Sequence, residues 1–131
     1  MKIHHIGYLV HDKAEALQAF ETLGYRLTAD WLHDTARRIE IAFVENCGVL
    51  VELVKPDADC ELIGKQLRKL RNAPYHICYE CEDLEERMHA LRETGYMVTQ
   101  EPLAAPAIDG RRVAFLFGSD MGLIELVERS K

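Results

Sequence analysis

Two imidazoles and two carboxylates, at His5, His76, Glu52 and Glu125, are the residues best suited to chemistry, because each recurs at an equivalent place in a chain that repeats itself. Nitrogen and oxygen donors in this mixture suit one divalent transition ion, with positions left for water or substrate. Nickel, cobalt, zinc and manganese are all compatible with such a set. Taken singly, a strand histidine is more often a hydrogen-bonded core or surface residue, and a strand glutamate an edge or ion-pair residue. The repetition is what selects these four.

The repeat is visible when the chain is slid against itself by 71 positions. Residues 5–25 then lie over residues 76–96 without a gap, and eight of 21 positions are identical: His5/His76, Ile6/Ile77, Tyr8/Tyr79, Asp12/Asp83, Glu15/Glu86, Ala19/Ala90, Gly24/Gly95 and Tyr25/Tyr96. Arg37-Arg38-Ile39 matches Arg111-Arg112-Val113 at a separation of 74, and Val51-Glu52-Leu53-Val54 matches Ile124-Glu125-Leu126-Val127 at 73. Self-similarity of this kind means one supersecondary unit used twice. The chain therefore divides into a first module at 1–55, a linker at 56–74 and a second module at 75–131, within a single domain spanning 1–131.

Each module reads as βαβββ. Ile3 to Val10 alternates and is apolar, as a strand does. Asp12, three residues before Glu15, supplies the carboxylate that starts a helix. That helix runs to about Leu23 with Ala14, Leu17, Phe20 and Leu23 on one face, and Gly24 ends it. Tyr25–Ala29, Arg38–Glu45 and Val49–Val54 follow as strands, the last two joined by a turn at Asn46-Cys47-Gly48. The second module repeats the plan: strand 75–81, helix 84–94 behind Asp83, then strands 96–100, 111–117 and 122–128, with a turn at Gly118-Ser119-Asp120. The segment from Pro102 to Gly110 is either a plain connection or a lid.

Strand parity sets His5 on one face with Gly7 and Leu9, and sends Ile6, Tyr8 and Val10 to the other, toward the helix. Glu52 sits between Val51 and Leu53, and Glu125 between Ile124 and Leu126. A carboxylate buried in such a run is costly unless paired or coordinated. His4, His11, His33 and His89 have no counterpart in the repeat and read as surface residues or as supports of the ligands, His4 on the opposite face from His5. Cys78 and Cys81 have a C-x-x-C spacing, but on a strand i and i+3 face opposite ways, so they read as small buried side chains.

In the linker, Leu62, Ile63, Leu67 and Leu70 form one face of a short helix, opposed by Lys65, Arg68, Lys69 and Arg71. That basic face is either simply solvated or an aid to an acidic substrate tail. Elsewhere composition excludes. A net charge of −6 argues against nucleic acid, which needs a basic face. No apolar run approaches the ~20 residues that cross a bilayer, and the N-terminus lacks the apolar core of a signal peptide. A cytoplasmic protein with reduced cysteines and no membrane partner is the expectation.

A βαβββ unit given twice, with His in the first strand and Glu in the last, resembles the vicinal oxygen chelate superfamily, which includes glyoxalase I, methylmalonyl-CoA epimerase, extradiol dioxygenase and bleomycin-resistance protein. His5-Ile6-Gly7, Leu23-Gly24-Tyr25, Val51-Glu52-Leu53, Tyr75 to Glu80 and Leu123 to Val127 carry the likeness. It implies an α+β fold whose two modules form one cupped mixed sheet around a metal, in a homodimer. A glutamate at position 52 resembles glyoxalase I, where epimerases usually carry Gln. The resemblance then implies a lyase of the lactoylglutathione type: Glu125 and Glu52 move a proton in a thiol hemithioacetal to give a 2-hydroxyacyl thioester. Glu40 falls where the epimerases carry an acid–base Glu, so the alternative is epimerisation of methylmalonyl-CoA with Glu40 and Glu125 on opposite faces of the enolate. Glu40 also reads as a strand carboxylate paired with an arginine such as Arg38. Arg37, Arg38, Arg111 and Arg112 are candidates for the anionic tail of either substrate, or are solvated strand ends. A third alternative, from another class, is a non-catalytic protein that binds a small molecule.

Overall fold

Asp12 and Asp83 start the two helices of this computed structural model in the same way. Each has an extended backbone, and its carboxylate accepts from the N–H three residues on, Glu15 at 2.9 Å and Glu86 at 2.8 Å. The structure describes residues 1–60, 69 and 71–130. The helix expected from Leu62, Ile63, Leu67 and Leu70, with Lys65 and Arg68, lies outside the described residues.

The first repeat gives β1 (Lys2–Leu9), α1 (Lys13–Thr22), β2 (Arg26–Asp34), β3 (Ile39–Asn46) and β4 (Val49–Pro56). The second gives β5 (Ala73–Cys81), α2 (Leu84–Glu93), β6 (Met97–Ala105), a 3-10 turn at Pro106–Ile108, β7 (Arg111–Gly118) and β8 (Gly122–Glu128). Strands neighbour one another in the order β2-β3-β4-β1 in the first set and β5-β8-β7-β6 in the second. In both, the first and last strands run parallel and the other pairs antiparallel. The repeated βαβββ order is the one read from the sequence, and the fold is of the α+β, mixed-sheet class that the resemblance implies. Contacts group the chain into one unit of residues 6–75 and another of residues 1–5 with 76–131, so the start of β1, including His5, belongs with the second repeat.

Each unit packs its helix on one face of its sheet. In the first, Val10, Val44, Val51 and Leu53 meet Ala16, Leu17 and Phe20 of α1. The buried helical position is Ala16, whereas Ala14 and Leu23 are exposed. The helix face is therefore 16-17-20 and not the expected 14-17-20-23, because the helix stops at Thr22 and Leu23 has already left the core. In the second unit Leu84 and Met88 of α2 pack on Cys81, Ala114, Leu116, Ile124 and Leu126.

The edge strands run longer than the sequence suggests. β2 continues to Asp34 and β6 to Ala105, each with two register shifts against its partner. Each shift resets the alternation of faces, so a bulged strand reads as a loop. Pro102 is tolerated because an edge strand leaves N–H groups unpaired on one side. Residues 102–105, the first part of the segment considered as a lid, are thus strand, followed by the 3-10 turn and Asp109 in the left-handed region at φ 54°.

Candidate metal centre

Strand parity decides which side chains share a face, and in the second unit the face away from α2 is the polar one. β5 puts His76 and Cys78 there, while Cys81 packs toward the helix. The two cysteines of the C-x-x-C spacing are thereby separated, and neither forms a disulfide. In the β5–β8 register Cys78 stands beside Glu125, and in the β7–β8 register Phe115 opposes Glu125. The Phe115 ring meets the His76 ring edge-on, with centroids 5.2 Å apart.

His5 completes this cluster. Its Nε2 is 3.0 Å from Glu125 Oε1 and 3.3 Å from His76 Nε2, and His76 Nε2 is 3.4 Å from the same oxygen. All three side chains are buried, at 1%, 4% and 4% exposure for His5, His76 and Glu125. Among the described residues Glu125 Oε1 makes no aligned hydrogen bond despite both close imidazoles. Burial alone would push the Glu125 carboxyl up, but the two imidazoles outweigh it and hold the group well below the usual carboxylate range. It is therefore ionised at neutral pH.

Three ligand atoms converging within 3.4 Å in a buried site is an arrangement that a metal ion satisfies. Ligands about 2.0–2.1 Å from a tetrahedral or octahedral ion lie about 3.0–3.4 Å from one another, which matches the three separations here. The donor set also suits a transition ion.

The first unit repeats this pattern at Glu52. In the β1–β4 register Gly7 stands beside Glu52, as Cys78 stands beside Glu125, and Phe43 opposes Glu52 as Phe115 opposes Glu125. Glu52 is buried, at 4% exposure. Glu40 is not on that face. It lies one position from Ile39 and Ile41 in β3, on the side of Ala42 and Val44 that packs toward α1, and its carboxylate pairs with Lys13 of α1 at 3.0 Å. Its cationic partner is that lysine, and Arg38 pairs instead with Asp59.

All four candidate anion-binding arginines have carboxylate partners. Arg37 pairs with the buried Asp34 at 2.8 Å. Arg38 is exposed and adopts φ 58° in the turn before β3. Arg112 pairs with Glu85 and Glu128. Arg111 pairs with Glu80 at 2.6 Å and donates from Nε to the Glu128 carbonyl at 2.6 Å. These guanidiniums hold Glu80, Glu85 and Glu128 below the usual carboxylate range.

The phenylalanine pair escaped the reading of the sequence, and His4, expected on the opposite face from His5, lies against it. His4 Nδ1 lies 2.8 Å from His5 Nδ1, although neighbours on a regular strand point to opposite faces. No repeat signal marked it, since its counterpart is Tyr75. Phe43 and Phe115 did carry such a signal, as Ala42-Phe43 and Ala114-Phe115 precede the two glutamate strands alike. His11, His33 and His89 are exposed; His33 pairs with Asp57 and His89 lies near Glu93.

No curated protein matches the chain. Among solved structures, a hypothetical protein of Bacillus halodurans is 27% identical with a TM-score of 0.85, over 99% of this chain and 95% of that one. Methylmalonyl-CoA epimerase from Mycobacterium tuberculosis is 24% identical with a TM-score of 0.83, over 98% and 88%. A Streptomyces coelicolor methylmalonyl-CoA epimerase variant in complex with 2-nitronate-propionyl-CoA is 21% identical with a TM-score of 0.84, over 100% and 99%. The last two likenesses concern the fold. The sequence pattern of the Glyoxalase/Bleomycin resistance protein/Dioxygenase superfamily matches residues 4–115, and the chain belongs to that superfamily.

Proposed function

We propose that the protein is a divalent-metal-dependent enzyme that moves a proton on a carbon next to a carbonyl, and that its substrate is an acyl-CoA of the methylmalonyl-CoA type. The observation that carries the metal is the convergence of His5 Nε2, His76 Nε2 and Glu125 Oε1 within 3.4 Å, with no hydrogen bond to that oxygen among the described residues. Glu52 is the fourth ligand of this reading, on the ground that it repeats the register, the facing phenylalanine and the burial of Glu125. The substrate class is supported by the epimerases among the structural neighbours, one of them in complex with methylmalonyl-CoA.

When bound, the ion supplies Lewis-acid stabilisation of the oxyanion formed as the α-proton leaves. The chain's own contribution is positional. His5 and His76 direct their Nε2 atoms at the Glu125 carboxylate from buried rings, and Phe115 packs edge-on against His76. Glu125 is ionised and accepts a proton at a carboxylate oxygen, while Phe43 and Phe115 keep the faces around the two glutamates apolar. Glu40, the second acid–base group of the epimerase reading, pairs with Lys13 of α1 at 3.0 Å.

A second reading is favoured by one feature: both carboxylate positions are Glu, giving two proton-accepting groups for the shift between adjacent carbons in a thiol hemithioacetal. That is a glyoxalase-I-type lyase. One paired assay separates the two, with the protein supplied in turn with nickel, cobalt, zinc and manganese. Solvent deuterium entering methylmalonyl-CoA supports the epimerase; thioester formation from methylglyoxal and a thiol supports the lyase. Metal-free protein that binds a small molecule and shows neither activity sinks both readings in favour of a binding protein.

A further inference from the structure

We propose that Gln100 is a specificity-determining residue, its Nε2–H donating to a carboxylate oxygen of the acyl substrate and so selecting a malonyl-type acyl group over a simple one. The inference rests on the substrate class proposed above and concerns a residue with no ligand role. β6 is an edge strand, and Val98 packs on the cluster of Leu116 and Leu84 on the α2 side of its sheet. In an unbroken strand Gln100, two positions on, would face α2 as well. It does not, because the register slips between the two: Val98 stands opposite Leu116, but Gln100 stands opposite Phe115. A second slip follows between Gln100 and Leu103. The residue is thus bracketed by irregularities, and the first re-aims its side chain, as bulges beside active sites do. Phe115 in turn opposes Glu125, and Glu125 stands beside Cys78. Gln100, Phe115, Glu125 and Cys78 therefore form one row across the sheet, on the face that carries His76.

The amide is placed at a cost. Thr99 and Glu101 on either side are exposed, and a glutamine on a sheet edge can leave its amide in water. Gln100 Nε2 is instead buried, and among the described residues no acceptor meets it. A buried donor without a partner is destabilising, and such a group in a folded protein calls for an explanation. A substrate oxygen supplies one. Neighbouring strands lie about 4.8 Å apart, so roughly 9–10 Å separates the Gln100 backbone from that of Glu125 across β7. Both side chains reach into that interval from the same face, and Phe115 between them keeps it apolar. A malonyl-type acyl group carries two oxygen functions on the carbon that loses its proton, a thioester carbonyl and a carboxylate. Glu125 lies at the end of the row where the proton is taken, and the Gln100 amide meets a carboxylate oxygen at the other. A hydrogen bond to an ionised oxygen is roughly twice as strong as a neutral one. Propionyl-CoA, the same acyl chain without the carboxylate, leaves the donor unpaired, which is what makes such a donor selective.

The test compares wild type, Gln100→Met and Gln100→Glu, each supplied with metal. Met keeps the length of the side chain and removes the donor, whereas Glu replaces it with an anion. Solvent deuterium entry into methylmalonyl-CoA gives KM and kcat, and inhibition of that exchange by propionyl-CoA gives Ki. Thermal unfolding of metal-free protein gives Tm. In Gln100→Met the KM for methylmalonyl-CoA should rise about 10–100-fold, with kcat within about threefold of wild type and the propionyl-CoA Ki unchanged. Gln100→Glu should raise KM at least as much. The Tm of Gln100→Met should be no lower than that of wild type, because the unpaired donor is gone. An unchanged KM in Gln100→Met overturns the proposal, and so do a KM and a Ki that rise together, because the loss then follows packing. A wild-type KM in Gln100→Glu also overturns it, since the amide oxygen would then be the working atom. A lower Tm in Gln100→Met shows that the amide has a partner inside the free protein and overturns it as well. Wild type that leaves methylmalonyl-CoA unlabelled defeats the substrate reading, and this assignment falls with it; the other outcomes all require active wild type and are distinct from that one.

Discussion

Replacing Glu125 by Gln keeps the volume of the side chain and removes the charge on which two imidazoles converge. Taking the three separations of 3.0, 3.3 and 3.4 Å as a triangle, its centre lies roughly 1.9 Å from each corner, so an ion with bonds of about 2.1 Å fits a little above the plane. An ion that binds only the folded protein stabilises it by about 2.7 kcal/mol when its free concentration is 100 times Kd. For a chain of this length that corresponds to a rise in Tm of about 8–13 °C. A neutral amide is a much poorer ligand than a carboxylate. If the loss matches even the upper end of the about 100-fold seen for outer partners, the same metal concentration only equals the new Kd, and the gain falls to about 0.4 kcal/mol. The Tm rise should then shrink to about 1–2 °C. The assay is thermal unfolding of chelator-treated wild type and Glu125→Gln, each with and without added Zn(II) or Co(II). Each protein serves as its own reference, so any change in intrinsic stability cancels. A metal-induced rise in Glu125→Gln as large as in wild type would refute the assignment of Glu125 as a ligand.

Other outcomes follow from the same coordinates. Gly118→Ala should cost about 1–3 kcal/mol in urea denaturation, because the added Cβ would lie 2.6 Å from Tyr96 Cε2; a cost that persists undiminished when Tyr96 is also shortened to Leu would show that the contact is not the cause. Leu126→Ala, at a fully buried position under α2, should cost about 2–5 kcal/mol, read from the same denaturation midpoint. Glu80 and Glu128 are held below their ordinary values by Arg111 and Arg112, so their contribution is present above the unfolded carboxylate value and is lost as pH falls through the depressed folded values. Urea melts between about pH 6 and pH 3 should therefore show a shallower acid loss in Glu80→Gln than in wild type, and identical slopes would count against the Arg111 pairing. Asp83→Ala should destabilise by about 1 kcal/mol through loss of the α2 cap, and a neutral result in thermal unfolding would argue that Glu86 N–H finds another acceptor.

Periodicity made most of the secondary structure legible. The repeat located both helices, the first and last strands of each module and the four buried polar residues, since a residue that recurs at one register in two modules is selected twice. Bulged edge strands were not legible, because a register shift breaks the alternation by which a strand is recognised. The α1 face was misread by two residues, as Ala14 and Ala16 are alike in sequence and only packing distinguishes them.

By itself, the sequence determined a duplicated βαβββ plan, the faces of its first and last strands, and a buried His and Glu in each copy. Tertiary structure decided what those residues meet. It brought His5 from the first repeat into the unit of His76 and Glu125. It turned Glu40 to the helix side against Lys13 and gave each of the four arginines a carboxylate partner. It also set His4 against His5. The physical reason is one of range. Alternation and capping act over a few residues and are written in local spacing, whereas ligand convergence and ion pairing depend on distances between segments far apart in the chain, which only the folded registers specify.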